Sequence, residues 1–115
     1  MKRFLVGLAV AVVTPLVFAH ATVKESVPAA GATLDKAPPQ IVLTFNEKVE
    51  PAFSNIEVKD FSGKAISGSS HTDAADPVLL KFDLPALGSG AYQVSWIAVG
   101  PDGHRRKGSF SFTVK

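Results

Sequence analysis

The sequence contains no cysteine and a single methionine, Met1. The first absence excludes disulfide staples, thiolate nucleophiles, thiol exchange and the cysteine-ligated blue-copper centre. No stretch of helical length carries an apolar stripe at the 3.6-residue period. Surplus charge is lacking too. Apart from Lys2 and Arg3, ten basic residues face ten acidic ones, so nothing points to a nucleic-acid surface. Nor is there an apolar run suited to crossing a bilayer. Phe4 to Ala19 is sixteen residues interrupted by Thr14 and Pro15, whereas a spanning helix needs about 20.

That run instead has the layout of a signal peptide. Lys2 and Arg3 supply a positive start, and Phe4 to Val13 are ten residues without a polar side chain. Val17-Phe18-Ala19 then offers the modest side chains that a signal peptidase reads. Residues 1–19 are therefore expected to be removed, leaving one domain over residues 20–115 that begins at His20. With no cysteine to acylate, the mature chain is expected free of a membrane anchor, in the periplasm.

The mature chain reads as strands separated by turns. Val23 to Val27 is a short edge-like segment stopped by Pro28, and Ala37-Pro38-Pro39 bars a helix before the next strand. Ile41, Leu43 and Phe45 alternate with Val42, Thr44 and Asn46; Ile56 and Val58 alternate with Glu57 and Lys59. Val78, Leu80 and Phe82 share a face, as do Tyr92, Val94, Trp96 and Ala98. Phe110, Phe112 and Val114 alternate strictly with Ser109, Ser111 and Thr113. A period of two is what a half-buried strand requires.

About seven such strands predict an all-β, two-sheet sandwich or small barrel of the immunoglobulin-like kind. Phe45, Phe82, Trp96, Phe110 and Phe112 are its expected core. At ~1.5–3 kcal/mol for each large apolar side chain fully buried, they can hold the domain without a staple. Residues 63–77 are polar and weakly patterned, and read as an exposed connection.

Three histidines occur: His20, His71 and His104. Cleavage after Ala19 would give His20 both a free α-amine and an imidazole, and the amine and Nδ1 can close a six-membered ring around one metal ion. Asp102 and His104 lie two apart in Gly100-Pro101-Asp102-Gly103-His104, where a tight turn lets carboxylate and imidazole face one ion. Amine, two imidazoles and a carboxylate form a shell suited to Cu(II), and not the all-oxygen shell of calcium or magnesium. The bland alternatives are that His20 merely follows the cleavage point and that Asp102 merely caps a Pro-Asp-Gly turn. His71, in Ser69-Ser70-His71-Thr72-Asp73, reads as a solvated loop histidine with no obvious partner.

The mature chain resembles the small periplasmic copper resistance proteins of the CopC type. The matching features are the histidine after the signal peptide, Val27-Pro28-Ala29-Ala30-Gly31, and Ile41-Val42-Leu43-Thr44-Phe45-Asn46-Glu47. Tyr92-Gln93-Val94-Ser95-Trp96, Asp102-x-His104 and Gly108-Ser109-Phe110-Ser111-Phe112 complete the likeness, which spans residues 20–115. It implies a Greek-key β-sandwich or barrel, cupredoxin-like in shape, that binds one Cu(II) through His20, Asp102 and His104. Phe45-Asn46-Glu47 matches the family's Phe-x-Glu segment, which makes Glu47 an outer or weak ligand at most. The resemblance also implies copper sequestration or transfer, in some members beside a copper-transporting inner-membrane protein. Better-known members carry a second, Cu(I) site in a methionine-rich loop. The corresponding segment here, Ser62 to Asp76, holds no methionine, so the chain is expected to be a Cu(II)-only form.

These readings favour a binding protein over an enzyme. Two alternatives stay open: a histidine-brace copper oxidase or monooxygenase, and a structural sandwich domain without metal. The processing step has its own test. Intact mass of the exported protein should correspond to a chain beginning at His20; retention of Ala19 or earlier residues would overturn the assignment.

Overall fold

A computed structural model of the protein describes residues 22–115. The signal-peptide reading and His20 lie outside the described residues. Eight strands follow in order: β1 (Val23–Val27), β2 (Thr33–Leu34), β3 (Gln40–Phe45), β4 (Asn55–Asp60), β5 (Ser70–Asp73), β6 (Asp76–Asp83), β7 (Gly90–Val99) and β8 (Arg105–Val114). They form two four-stranded sheets, β1-β3-β6-β5 and β2-β8-β7-β4. Only the β5–β6 and β7–β8 connections stay within one sheet. Every pairing is antiparallel except that of β2 with β8. The architecture is a sandwich of two sheets, and the described strands close no barrel.

Alternation in the sequence becomes alternation in burial. Ile41, Leu43 and Phe45 on β3 face Ile56 and Val58 on β4, Leu80 and Phe82 on β6, Tyr92, Val94 and Ala98 on β7, and Phe112 and Val114 on β8 across one core. Tyr92 stacks on Phe112 at 5.5 Å between ring centroids. Its phenol hydroxyl donates to the carbonyl of Gly88 at 2.7 Å, so no polar group is stranded by its burial.

Two expectations are corrected. Residues 63–77 are not merely a connection, because they contain β5 and the first residues of β6. What orders them is the backbone ladder to β6 and a hydroxyl rather than an alternating apolar face. Ser70 Oγ accepts the Ile56 N–H at 2.7 Å and lies 2.9 Å from Asn55 Oδ1 and 3.1 Å from the Ile56 carbonyl, tying β5 to the outer edge of β4. The strands number eight, in line with the seven or so expected, β2 contributing only two residues. In the core, Phe45, Phe82 and Phe112 are buried as expected, whereas Trp96 and Phe110 are half-buried and pack against it.

Trp96 owes its position to a glycine. The residue opposite it on β8 is Gly108, where an added Cβ would lie 2.6 Å from Trp96 Cζ2 and 2.9 Å from Nε1. The indole fills the space that a side chain would take and meets the Phe45 ring edge-on at 5.3 Å and 77°. Gly108→Ala should therefore cost about 1–3 kcal/mol by overpacking. With about 4–8 °C lost per kcal/mol in a domain of this size, thermal unfolding monitored by circular dichroism should move down by several degrees. An unchanged midpoint would show that the ring can swing aside without cost.

Candidate metal centre

The β7–β8 ladder runs from Gly90↔Val114 to Val99↔Arg105, and residues 100–104 turn the chain between its two last members. Gly103 takes φ of 77°, a left-handed conformation that glycine adopts without a Cβ clash. Its N–H donates to the carbonyl of Gly100 at 3.0 Å. Both backbone groups of Val99 are held at the turn's base. Its N–H donates to the Ser54 hydroxyl at 3.1 Å, and its carbonyl accepts the Glu50 N–H at 2.8 Å. Ser54 is itself buried, which fixes the clamp.

Within this frame the aspartate and histidine of the turn face one another. Asp102 Oδ1 accepts the backbone N–H of His104 at 3.0 Å, the local bond expected of a Pro-Asp-Gly turn. Its other oxygen, Oδ2, lies 3.1 Å from His104 Nδ1. The His104 side chain is 59% exposed and that of Asp102 35% exposed, so the pair sits at the surface where an ion can reach it. A carboxylate against one ring nitrogen orients an imidazole, as partners of metal-binding histidines do.

The start of the described chain reaches the same end of the sandwich. Val23 pairs with Phe45, the last residue of β3, and the Phe45 ring touches Trp96 of β7. Just beyond, the Thr22 N–H donates to Asn46 Oδ1 at 2.7 Å and the Asn46 N–H donates to the Thr22 carbonyl at 3.0 Å. The segment from Asn46 to Glu50 then leads to the clamp on Val99. Thus Thr22, the Phe45-Asn46-Glu47 segment and the 100–104 turn belong to one end of the domain.

Of the residues singled out in the sequence, Asp102 and His104 are brought together. Among the described residues, no group of three or more His, Cys, Asp or Glu side chains is close enough to hold a metal, so Glu47 does not complete a set with them. His71 lies on β5 rather than in a loop, and it has a neighbour that the sequence did not show. Its Nδ1 is 3.7 Å from Asp83 Oδ2, with the His71 side chain 45% exposed. In the sequence Asn46 is only the end of an alternating strand and the middle of Phe45-Asn46-Glu47. Its contact with Thr22 joins positions 24 apart, and no local pattern signals such a bond.

The CopC domain family matches residues 23–115. This chain belongs to the CopC family. Protein YobA of Escherichia coli K12 is 34% identical over 118 residues, covering all of this chain and 94% of its own length. Among solved structures, CopC from Methylosinus trichosporium OB3b superposes with a TM-score of 0.80 at 32% identity, over 84% of this chain and 94% of that one. PcoC, a methionine-rich copper resistance protein from Escherichia coli, gives a TM-score of 0.77 at 32% identity, covering 84% of this chain and all of its own. The two-sheet sandwich is thus the CopC fold. Among the described residues no helix is long and apolar enough to cross a membrane.

Proposed function

We propose that the mature chain, residues 20–115, is a periplasmic protein that binds one Cu(II) ion for copper resistance, sequestration or transfer, and that it is a carrier rather than an enzyme. The observation that carries this reading is the Asp102–His104 pair, held at the tip of the β7–β8 hairpin at the end of the sandwich where the described residues begin. CopC family membership supports it, as does the copper resistance role named for PcoC.

The donor set proposed is the α-amine and imidazole of His20, the imidazole of His104 and the carboxylate of Asp102. Nitrogen donors with one carboxylate suit Cu(II), which leads the divalent first-row metals in affinity for such sites. Signal-peptide removal is then part of making the site, because a preceding residue converts the amine of His20 into an amide. A copper-transporting inner-membrane protein is the partner proposed for loading or release.

Competitive Cu(II) titration tests the set directly. A chain beginning at Ala19 should bind at least about tenfold more weakly than one beginning at His20, with unchanged circular dichroism, because a donor and its chelate ring are lost together. His104→Ala should also weaken binding, whereas His71→Ala should leave it unchanged. Equal affinity of the two chain starts would overturn the role given to His20.

The same protein should take up one equivalent of Cu(II) with a tetragonal electron paramagnetic resonance spectrum and only weak visible absorption, since no thiolate is present for an intense charge-transfer band. Binding should weaken as pH falls, because protons compete for the amine and imidazole nitrogens. For Cu(I), X-ray absorption should show no sulfur scattering from the mature chain, which lacks both methionine and cysteine. A strong blue chromophore or sulfur scattering would contradict the assignment.

A further inference from the structure

We infer that Asn46 is a positioning residue for the amino-terminal copper ligand, an inference that rests on the role given above to His20. The Asn46 carboxamide oxygen accepts the Thr22 N–H at 2.7 Å, and the Asn46 backbone N–H donates to the Thr22 carbonyl at 3.0 Å. Thr22 is thus gripped on both sides by one residue. That residue is itself anchored, because Phe45 before it is 2% exposed and its ring is wedged against Trp96.

The grip has consequences two residues upstream. A residue advances the chain by at most about 3.6 Å, so with Thr22 fixed His20 is confined to within about 7 Å of it. Direction is constrained as well as distance. A peptide unit is planar, so the orientation of the Thr22 N–H sets the direction in which the preceding α-carbon departs. The backbone bond from Asn46 to the Thr22 carbonyl cannot do this, since it holds the next peptide plane. Among the bonds of the described residues, the one from the Thr22 N–H to the side-chain oxygen of Asn46 orients the plane that leads back to His20.

Removing that oxygen leaves the fold its core and both sheets, for Asn46 is exposed and lies outside β3. What it releases is the orientation of Thr22, the described residue from which the chain leads back to His20. In effect, Asn46 raises the local concentration of the terminal ligand at the hairpin tip. Aspartate at this position retains an acceptor oxygen, whereas leucine has similar bulk and none.

The test is Cu(II) competition titration of Asn46→Leu and Asn46→Asp, each made in a chain beginning at His20 and in one beginning at Ala19. In the His20 chain, Asn46→Leu should weaken binding about three- to tenfold, the scale set by one lost hydrogen bond, and broaden the paramagnetic resonance spectrum into more than one species. Asn46→Asp should restore a single species. In the Ala19 chain, Asn46→Leu should change nothing further. Tight binding by Asn46→Leu, while the Ala19 chain binds weakly, would overturn the positioning role and leave His20 as a ligand. Equal weakening in both chain starts would show that Asn46 acts through the fold, which also overturns it. Equal affinity of the two unsubstituted chains would remove the ligand role of His20, and this inference with it.

Discussion

The ten-residue pairing of β7 with β8 is the constraint on which the rest of the molecule depends. It carries Tyr92, Val94 and Ala98 on one strand and Phe112 and Val114 on the other, the share of the buried core that this sheet sets against Ile41, Leu43 and Phe45 of β3 and Leu80 and Phe82 of β6. Opposing Trp96 to Gly108 lets an indole lie where two ordinary side chains could not. The ladder ends at Val99↔Arg105, and the turn that follows inherits its place from the strands beneath it. Neighbouring loops then lock this end: Glu50 and Ser54 occupy the backbone groups of Val99, and Phe45 reaches across to Trp96.

The parts of this arrangement made by side-chain alternation were legible in the sequence. Buried residues stand two apart at Ile41, Leu43 and Phe45 of β3, Ile56 and Val58 of β4, Leu80 and Phe82 of β6, Tyr92 and Val94 of β7, and Phe112 and Val114 of β8, and a period of two is visible without a structure. β5 and β2 escaped because nothing in them alternates. The first is recruited by its own backbone and the Ser70 hydroxyl, and the second is two residues laid parallel to the end of β8. Trp96 was in phase with the core but is only half-buried, since it lies beneath a residue with no side chain on a strand whose outer neighbour pairs only with Thr113 and Val114. The Asp102–His104 turn was readable because proline, aspartate and glycine encode it locally. The neighbour of His71, like the Asn46–Thr22 contact, is a product of tertiary folding and has no local signature.

Sulfur is the element that separates this chain from PcoC, its methionine-rich structural neighbour. The two share a sandwich, yet the core that defines it here is aromatic and aliphatic throughout. A β-sandwich of this kind does not need thioethers for its stability, so a methionine-rich segment can be present in one family member and missing from another without altering the frame. The fold sets where the ends and turns meet, and the side chains placed there set the chemistry.

Asp102 and His104 sit on a turn whose two flanks continue into paired strands, whereas Thr22 is held by a single asparagine at the margin. In the proposed site these two halves differ in how readily they let go. A metal shared between a braced hairpin tip and a chain terminus can shed its ligands sequentially, the terminal pair leaving first while the imidazole of the turn retains the ion. An incoming ligand from a recipient can occupy each vacated position in turn. Exchange in such a site would proceed by stepwise replacement of one ligand at a time, and the sandwich would not need to open for its cargo to leave.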